Sequence, residues 1–221
     1  MASDSGFFWY NLSYNVGYSI ILYSGDAAIL SMLEDVGVFT SVPTVADVPN
    51  NTTMWVFTFV RNPYDRILAA WNAFNINFIA DPATKATAFH NKMLSLSGNT
   101  GPRNTRMYEK DRGDFQTQVE LLDAGTGQFE NSANARKQNF VGKIEDFATD
   151  IITVENQMGV SLKSEILDNY IFSMTNDSDI VTADTTYDVP LLYADAYALQ
   201  ATKDLVYNTY REDFDAFSYK Q

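Results

Sequence analysis

Apolar and polar positions change their period sharply between Met54 and Phe78. The run "MWVFTFV", Met54 to Val60, is apolar with almost no alternation, which is how a strand covered on both faces of a parallel sheet reads. From Tyr64 onward, Ile67, Leu68, Trp71, Phe74 and Phe78 recur at steps of three and four, one face of a helix. Asn62 is placed to cap that helix, and Pro63 is tolerated in its first turn. Upstream, "GFFWYNLSY", Gly6 to Tyr14, reads as a short aromatic strand, and "NVGYS" as a turn around Gly17. "SIILYSGDAAILSMLEDVG" has helical spacing, interrupted at Gly25 and stopped at Gly37. "VPTVADVPNNTT", Val42 to Thr53, reads as a loop.

Downstream, residues 81–110 alternate helical pieces with the polar loop "LSGNTGPRNTR". A strand follows around Asn139 to Ile144, then a helix carrying Phe147, Ile151, Ile152 and Val154. Residues 175–188 form an acidic polar loop, and Leu191 to Phe217 has helical spacing. No linker, repeat or low-complexity block divides the chain, so residues 1–221 are expected to form a single domain. The order of strands and helices predicts an α/β fold with a central parallel sheet flanked by helices. Ligands of such folds sit beyond the carboxyl ends of the strands. Two segments meet that description, the "NLSYNVGYS" turn and the "VRNPYDR" turn.

Composition narrows the chemistry. The formal net charge is −13, from 15 basic and 28 acidic residues, which argues against nucleic acid and against anionic membrane surfaces as partners and keeps the protein dispersed. There is no Cys and only 1 His, so thiolate catalysis, disulfides and a multi-His metal site within the chain are excluded. No metal is expected. The first residues, "MASDSGFFWYNLSYN", have neither a basic flank nor a long apolar run, so no signal peptide is expected. No stretch approaches a membrane helix. A soluble cytoplasmic or virion-associated protein is the expectation, with the Asn-x-Ser/Thr triplets at Asn11, Asn50, Asn51 and Asn176 carrying no glycan.

An Arg at the end of a strand, just before a helix N-terminus, is suited to an anion. The helix end offers unpaired N–H groups and partial positive charge, and Arg61 adds a planar fork of donors. Arg66, one turn into the helix, is placed to reinforce it. The competing reading pairs Arg61 with a carboxylate of the chain, Asp65 or another. "NDSDIVTAD" reads as a solvated loop rather than a calcium loop, and Trp55 and Trp71 as core residues.

"FTFVRNPYDRILAAW", Phe57 to Trp71, resembles the 3′-phosphate-binding segment of carbohydrate sulfotransferases, F-x-F-V-R-[DN]-P-[YF]-x-R-L-x-S-A-[YF]. "FVGKIEDFATDI", Phe140 to Ile151, and "LVYNTYREDFDAFSY", Leu205 to Tyr219, resemble the family's later strand-to-helix segment and its closing helix, in the right order. The resemblance implies a P-loop-like α/β sulfotransferase fold. It also implies sulfonate transfer from 3′-phosphoadenosine-5′-phosphosulfate to a carbohydrate-type acceptor. By resemblance the 3′-phosphate would be held at the segment carrying Arg61, Arg66 and Ala69. The 5′-phosphosulfate would be held by an N-terminal loop similar to P-K-x-[AG]-[GS]-[TS]-S, aligned here with Tyr14, Asn15, Val16, Gly17, Tyr18 and Ser19.

Two positions depart from the family pattern. Tyr14 stands where the loop Lys would be, and no Lys or Arg precedes Arg61. Ala69 stands where a Ser would bond the 3′-phosphate. A cation would then have to come from Lys85, Arg103, Arg106 or Arg112. His90 is the candidate base for the acceptor, while Asp111, Asp114 and Glu120 are further acidic candidates. These departures point to impaired or absent catalysis. The alternative is a non-catalytic structural or binding protein on the same scaffold, such as a virion surface or assembly component with protein partners.

Overall fold

The computed structural model describes residues 8–21, 23–42, 48, 53–75, 80–97, 115–125, 138–161 and 190–221. Phe78, Arg103, Arg106, Arg112, Asp111, Asp114, the loop 175–188 and the triplets at Asn50, Asn51 and Asn176 lie outside them. The chain gathers into two compact units, Met1–Arg61 with Gln118–Asn176, and Asn62–Thr117 with Asp177–Gln221.

The first unit is built on a five-stranded sheet in the order β3-β1-β2-β4-β5. Its strands are β1 (Phe8–Asn11), β2 (Val16–Ser19), β3 (Thr40–Val42), β4 (Trp55–Val60) and β5 (Phe140–Lys143). β2, β4 and β5 run parallel, with Val16 opposite Trp55 and Phe57 opposite Phe140. β1 is antiparallel to both β2 and β3. The expected parallel sheet is therefore the centre of a mixed one, and the fold is α/β. Helix α1 (Asp26–Val36) follows β2, and α4 (Gln118–Gly125) and α5 (Phe147–Met158) belong to the same unit. Tyr18, Phe57 and Phe59 from the sheet pack with Met32, Leu33, Phe147 and Ile151 in one core. Phe8, Val48, Met54 and Val56 form a second, smaller cluster. The unbroken apolar run of β4 is explained by this arrangement, since Val56 through Val60 are all buried.

The expected turn at "NVGYS" is corrected: Val16–Ser19 is strand β2. The turn lies earlier, where Asn15 takes a left-handed φ of 52° and its N–H donates to Leu12 O at 3.2 Å. Gly17 serves packing rather than turning. A Cβ there would collide with the ring of Phe8 and touch Met54 Sδ at 3.0 Å. Gly25 does not interrupt a helix but opens one: it is the N-cap of α1 at φ 70°, ψ 17°, a conformation that glycine adopts without steric cost.

The second unit is helical. It holds α2 (Pro63–Phe74), α3 (Pro82–Ser97), α6 (Tyr193–Ala196), α7 (Gln200–Thr209) and α8 (Arg211–Phe217). Asn62 caps α2 as expected, accepting from Tyr64 N–H at 3.0 Å. Tyr64, Ile67, Leu68 and Trp71 pack with Phe89, Tyr197, Tyr210 and Phe214. Phe74 is 45% exposed and stands outside that core. Asn72 ties in the chain before α6, donating to Leu191 O at 3.1 Å and accepting from Leu191 N–H at 3.0 Å.

Gly142 in β5 is crowded in the same way as Gly17, because a Cβ there would run into the ring of Phe59. We expect Gly142→Ala to cost about 1–3 kcal/mol, the usual penalty for overpacking a filled core. The measurement is the midpoint of urea unfolding. An unchanged midpoint would show that the Phe59 ring has room to step aside.

Candidate functional site

Parallel strands bring their carboxyl ends to one edge of the sheet. At this edge of the first unit, β2 ends at Ser19 and β4 ends at Val60, with Arg61 next in sequence. The turn from β2 into α1 contains Tyr23 at φ 64° and Gly25 at φ 70°. Left-handed backbone at a non-glycine residue costs of order 1 kcal/mol and tends to concentrate at functional turns.

Gln118 joins these two strand ends. It is fully buried at the start of α4. Its Oε1 accepts from Arg61 N–H at 2.8 Å and from the Ser24 hydroxyl at 3.3 Å. Its Nε2 donates to Arg61 O at 2.8 Å. One carboxamide thus holds both polar groups of the Arg61 main chain, as a neighbouring strand would, and also reaches the turn after β2. Arg61 itself is only 7% exposed, and among the described residues no carboxylate forms an ion pair with its guanidinium. The competing reading, an Arg61–carboxylate clamp, finds no partner among those residues.

The charge at the neighbouring turn has the opposite sign. Asp26 is in the first turn of α1, and its Oδ1 accepts from Tyr23 N–H at 2.9 Å. A carboxylate of the chain itself therefore sits at the positive end of α1, where an incoming anion would otherwise be favoured. Its field reaches Tyr18: burial first, and the Asp26 charge second, push the Tyr18 phenol well above its usual range. The hydroxyls of Tyr18 and Ser19 are buried with no hydrogen-bond partner among the described residues. The two side chains belong to opposite faces of β2.

The residues expected to form a phosphosulfate loop are not placed as one. Tyr14 and Asn15 form the β1–β2 turn, and Val16, Gly17, Tyr18 and Ser19 are β2. Because β1 is antiparallel to β2, the Tyr14 turn is at the amino end of β2. β4 runs parallel to β2, so that turn and Arg61 stand at opposite ends of the strand pair. The loop expectation is corrected on this ground. Tyr14 is instead structural, its N–H donating to Asn11 Oδ1 and its hydroxyl to Val36 O, each at 3.1 Å. Asn15 Nδ2 donates to Thr53 O at 3.0 Å. Asn11, at the first of the glycosylation triplets, is buried and donates to Val38 O at 2.9 Å.

The other expected residues belong to the second unit. Arg66 is fully buried in α2 and donates to the Gln116 carbonyl. Ala69 lies on the same helix, half-buried. His90 on α3 has Nδ1 2.8 Å from the Thr202 hydroxyl. Lys85 is buried on that helix too. An open groove of about 490 Å³ runs between α3 and the α6–α7 connection, lined by Asp81, Ala83, Thr87, Asp195, Leu199 and Thr202 among others. Its lining has two carboxylates and no Lys or Arg. Glu120 is buried on α4 of the first unit.

Sequence reading missed Ser24, Asp26 and Gln118. The signal for the first two was present: "SGD" before an apolar helical run is a helix start, which would have moved the strand-to-helix turn to residues 20–25. For Gln118 no local pattern distinguishes it from other polar residues.

Residues 39–220 match the sequence profile of the sulfotransferase family. The match contains the Arg61 segment and β5, and it begins after the turn that links β2 to α1. No curated protein and no solved structure matches significantly. With the α/β sheet, the Arg61 segment and the profile in agreement over most of its length, the chain belongs to the sulfotransferase family.

Proposed function

We propose that this chain binds the 3′-phosphate end of 3′-phosphoadenosine-5′-phosphosulfate, or of the bisphosphate left after transfer, at Arg61. In this reading, sulfonate transfer to a carbohydrate-type acceptor is impaired or lost. The observation that carries the proposal is the largely buried Arg61 at the carboxyl end of β4, whose side chain has no ion pair among the described residues. Burying a charge without an opposite charge costs several kcal/mol, and a phosphate is the partner its planar fork matches best.

The two halves of the donor fit unequally. Arg61 suits the 3′-phosphate, although Ala69 supplies no hydroxyl to join it. The turn at residues 20–25 does not suit a phosphosulfate. It has no Lys or Arg, its Ser24 hydroxyl is given to Gln118, and the Asp26 carboxylate already takes up the Tyr23 N–H. A leaving phosphate oxygen develops negative charge and needs a preorganised cation or donor, worth roughly 10²–10³ in rate. No side chain of that turn supplies a cation. His90 is left without a substrate to deprotonate in this reading.

Calorimetry with adenosine 3′,5′-bisphosphate tests the proposal. We expect sub-millimolar binding that weakens about tenfold to a hundredfold in Arg61→Gln, the scale of a lost charge-assisted contact. Arg61→Lys, which keeps the charge, should lie between the two, and thermal melting checks that both variants fold. No binding to the wild-type protein up to millimolar ligand would replace this reading with that of a non-catalytic scaffold.

The Asp26 argument predicts that Asp26→Asn raises affinity for the same ligand several-fold, since the carboxamide can still accept from Tyr23 N–H without the charge. Equal affinities would show that this carboxylate is irrelevant to the anion. Tyr14→Lys, at the far end of β2, should leave affinity within about twofold of wild type, because an exposed charge beyond a Debye length of ~8 Å is screened. A marked gain would restore the Tyr14 turn as part of the site.

A further inference from the structure

We infer that Gln118 is the positioning residue for Arg61: its carboxamide sets where the guanidinium meets an anion. The inference rests on the proposed binding of the bisphosphate at Arg61. Three features lead to it. Gln118 is fully buried, so its hydrogen bonds are not exchanged with water. It grips Arg61 at both main-chain groups, N–H and carbonyl, each at 2.8 Å. Arg61 is the first residue past β4, whose ladder with β5 reaches only Val60 opposite Lys143. Without Gln118, the main chain at Arg61 would lie beyond the last rung and be free to take other dihedral angles. A change there swings a side chain as long as arginine by more than the tolerance of a bidentate phosphate contact.

The third hydrogen bond extends the role. Ser24 donates to the same Oε1 that accepts from Arg61 N–H. The turn after β2 and the end of β4 therefore share one acceptor. Among the hydrogen bonds of the described residues, Ser24 reaches Arg61 through Gln118, whereas Gln118 bears on it directly. This hierarchy separates positioning from general loosening of a buried cluster, since the loss of Ser24 removes a bond from the cluster but leaves the main-chain grip intact.

The test measures binding of adenosine 3′,5′-bisphosphate to the full chain for wild type, Gln118→Met, Ser24→Ala, Arg61→Lys and the Arg61→Lys/Gln118→Met pair. Gln118→Met keeps the volume and removes every hydrogen bond. We expect it to lose affinity about tenfold or more, while Ser24→Ala stays within about twofold of wild type. In the Arg61→Lys background, Gln118→Met should cost clearly less than it does alone, because the fork it positions is gone. Should Gln118→Met not fold, Gln118→Asn gives the same comparison, its carboxamide being one methylene too short to reach Arg61. The inference is overturned if the Gln118 variant binds like wild type, if Ser24→Ala loses as much, or if the two substitutions simply add. Absence of binding in the wild-type protein overturns the Arg61 reading itself, and the positioning role with it.

Discussion

The parallel pairing of β2 with β4 is the constraint on which the site depends. Two parallel neighbours must present their carboxyl ends at one edge, so the turn into α1 and the residue after Val60 come together whatever their sequences. The same pairing sends the β1–β2 turn to the other edge. Direction is set by the register of Val16 with Trp55 and Tyr18 with Phe57, and that register is held by packing. Tyr18 stacks on Phe57 with centroids 5.2 Å apart, and Gly17 admits the Phe8 ring on the opposite face. A side chain at position 17 would force that ring away and weaken the strand whose end carries Ser19 and the turn after it.

Both units use the same device to fix irregular backbone. Gln118 holds the main chain of Arg61, and Asn72 holds that of Leu191, each carboxamide donating to the carbonyl and accepting from the N–H. A buried main-chain group without a partner costs about 1–3 kcal/mol, and a primary amide can satisfy a donor and an acceptor at once. In the helical unit the device anchors a segment leading into α6. In the sheet unit it anchors the residue that would meet an anion, and there its geometric accuracy acquires a chemical consequence.

The β4–α2 region was legible because its local signals all agree. Uninterrupted burial marks the strand, Asn62-Pro63 marks the helix start, and the three- and four-residue spacing marks its inner face. The family resemblance was carried there too, and the profile match includes it. β1 and β2 were harder. Four-residue strands leave little room for a period to show, and a glycine inside one reads locally as a turn, although here it is demanded by a ring from the next strand. Chain direction in a sheet is not written in any local pattern, so the Tyr14 turn could not be recognised as belonging to the opposite edge until its partner strands were known. Gln118 illustrates a second limit. Its role comes from contacts with residues 57 and 94 positions away, and such contacts leave no trace in spacing.

The opposing charges at the shared edge bear on what the site can still do. Net charge of −13 acts mainly at long range, where salt screens it within about 8–10 Å. It slows the approach of an anion more than it weakens a contact already made. Arg61 and Asp26 act differently, because both act at short range, within a Debye length of an anion seated at that edge. A buried guanidinium gains from an anion beside it, whereas a carboxylate at the first turn of α1 spends the helix's positive end on the chain itself. An anion with one phosphate can satisfy the first without confronting the second. A donor with phosphates at both ends of its ribose must face each. On the proposed reading, the arrangement would hold one end of a nucleotide better than it would align the other for transfer, and charge placement within the fold would be the reason.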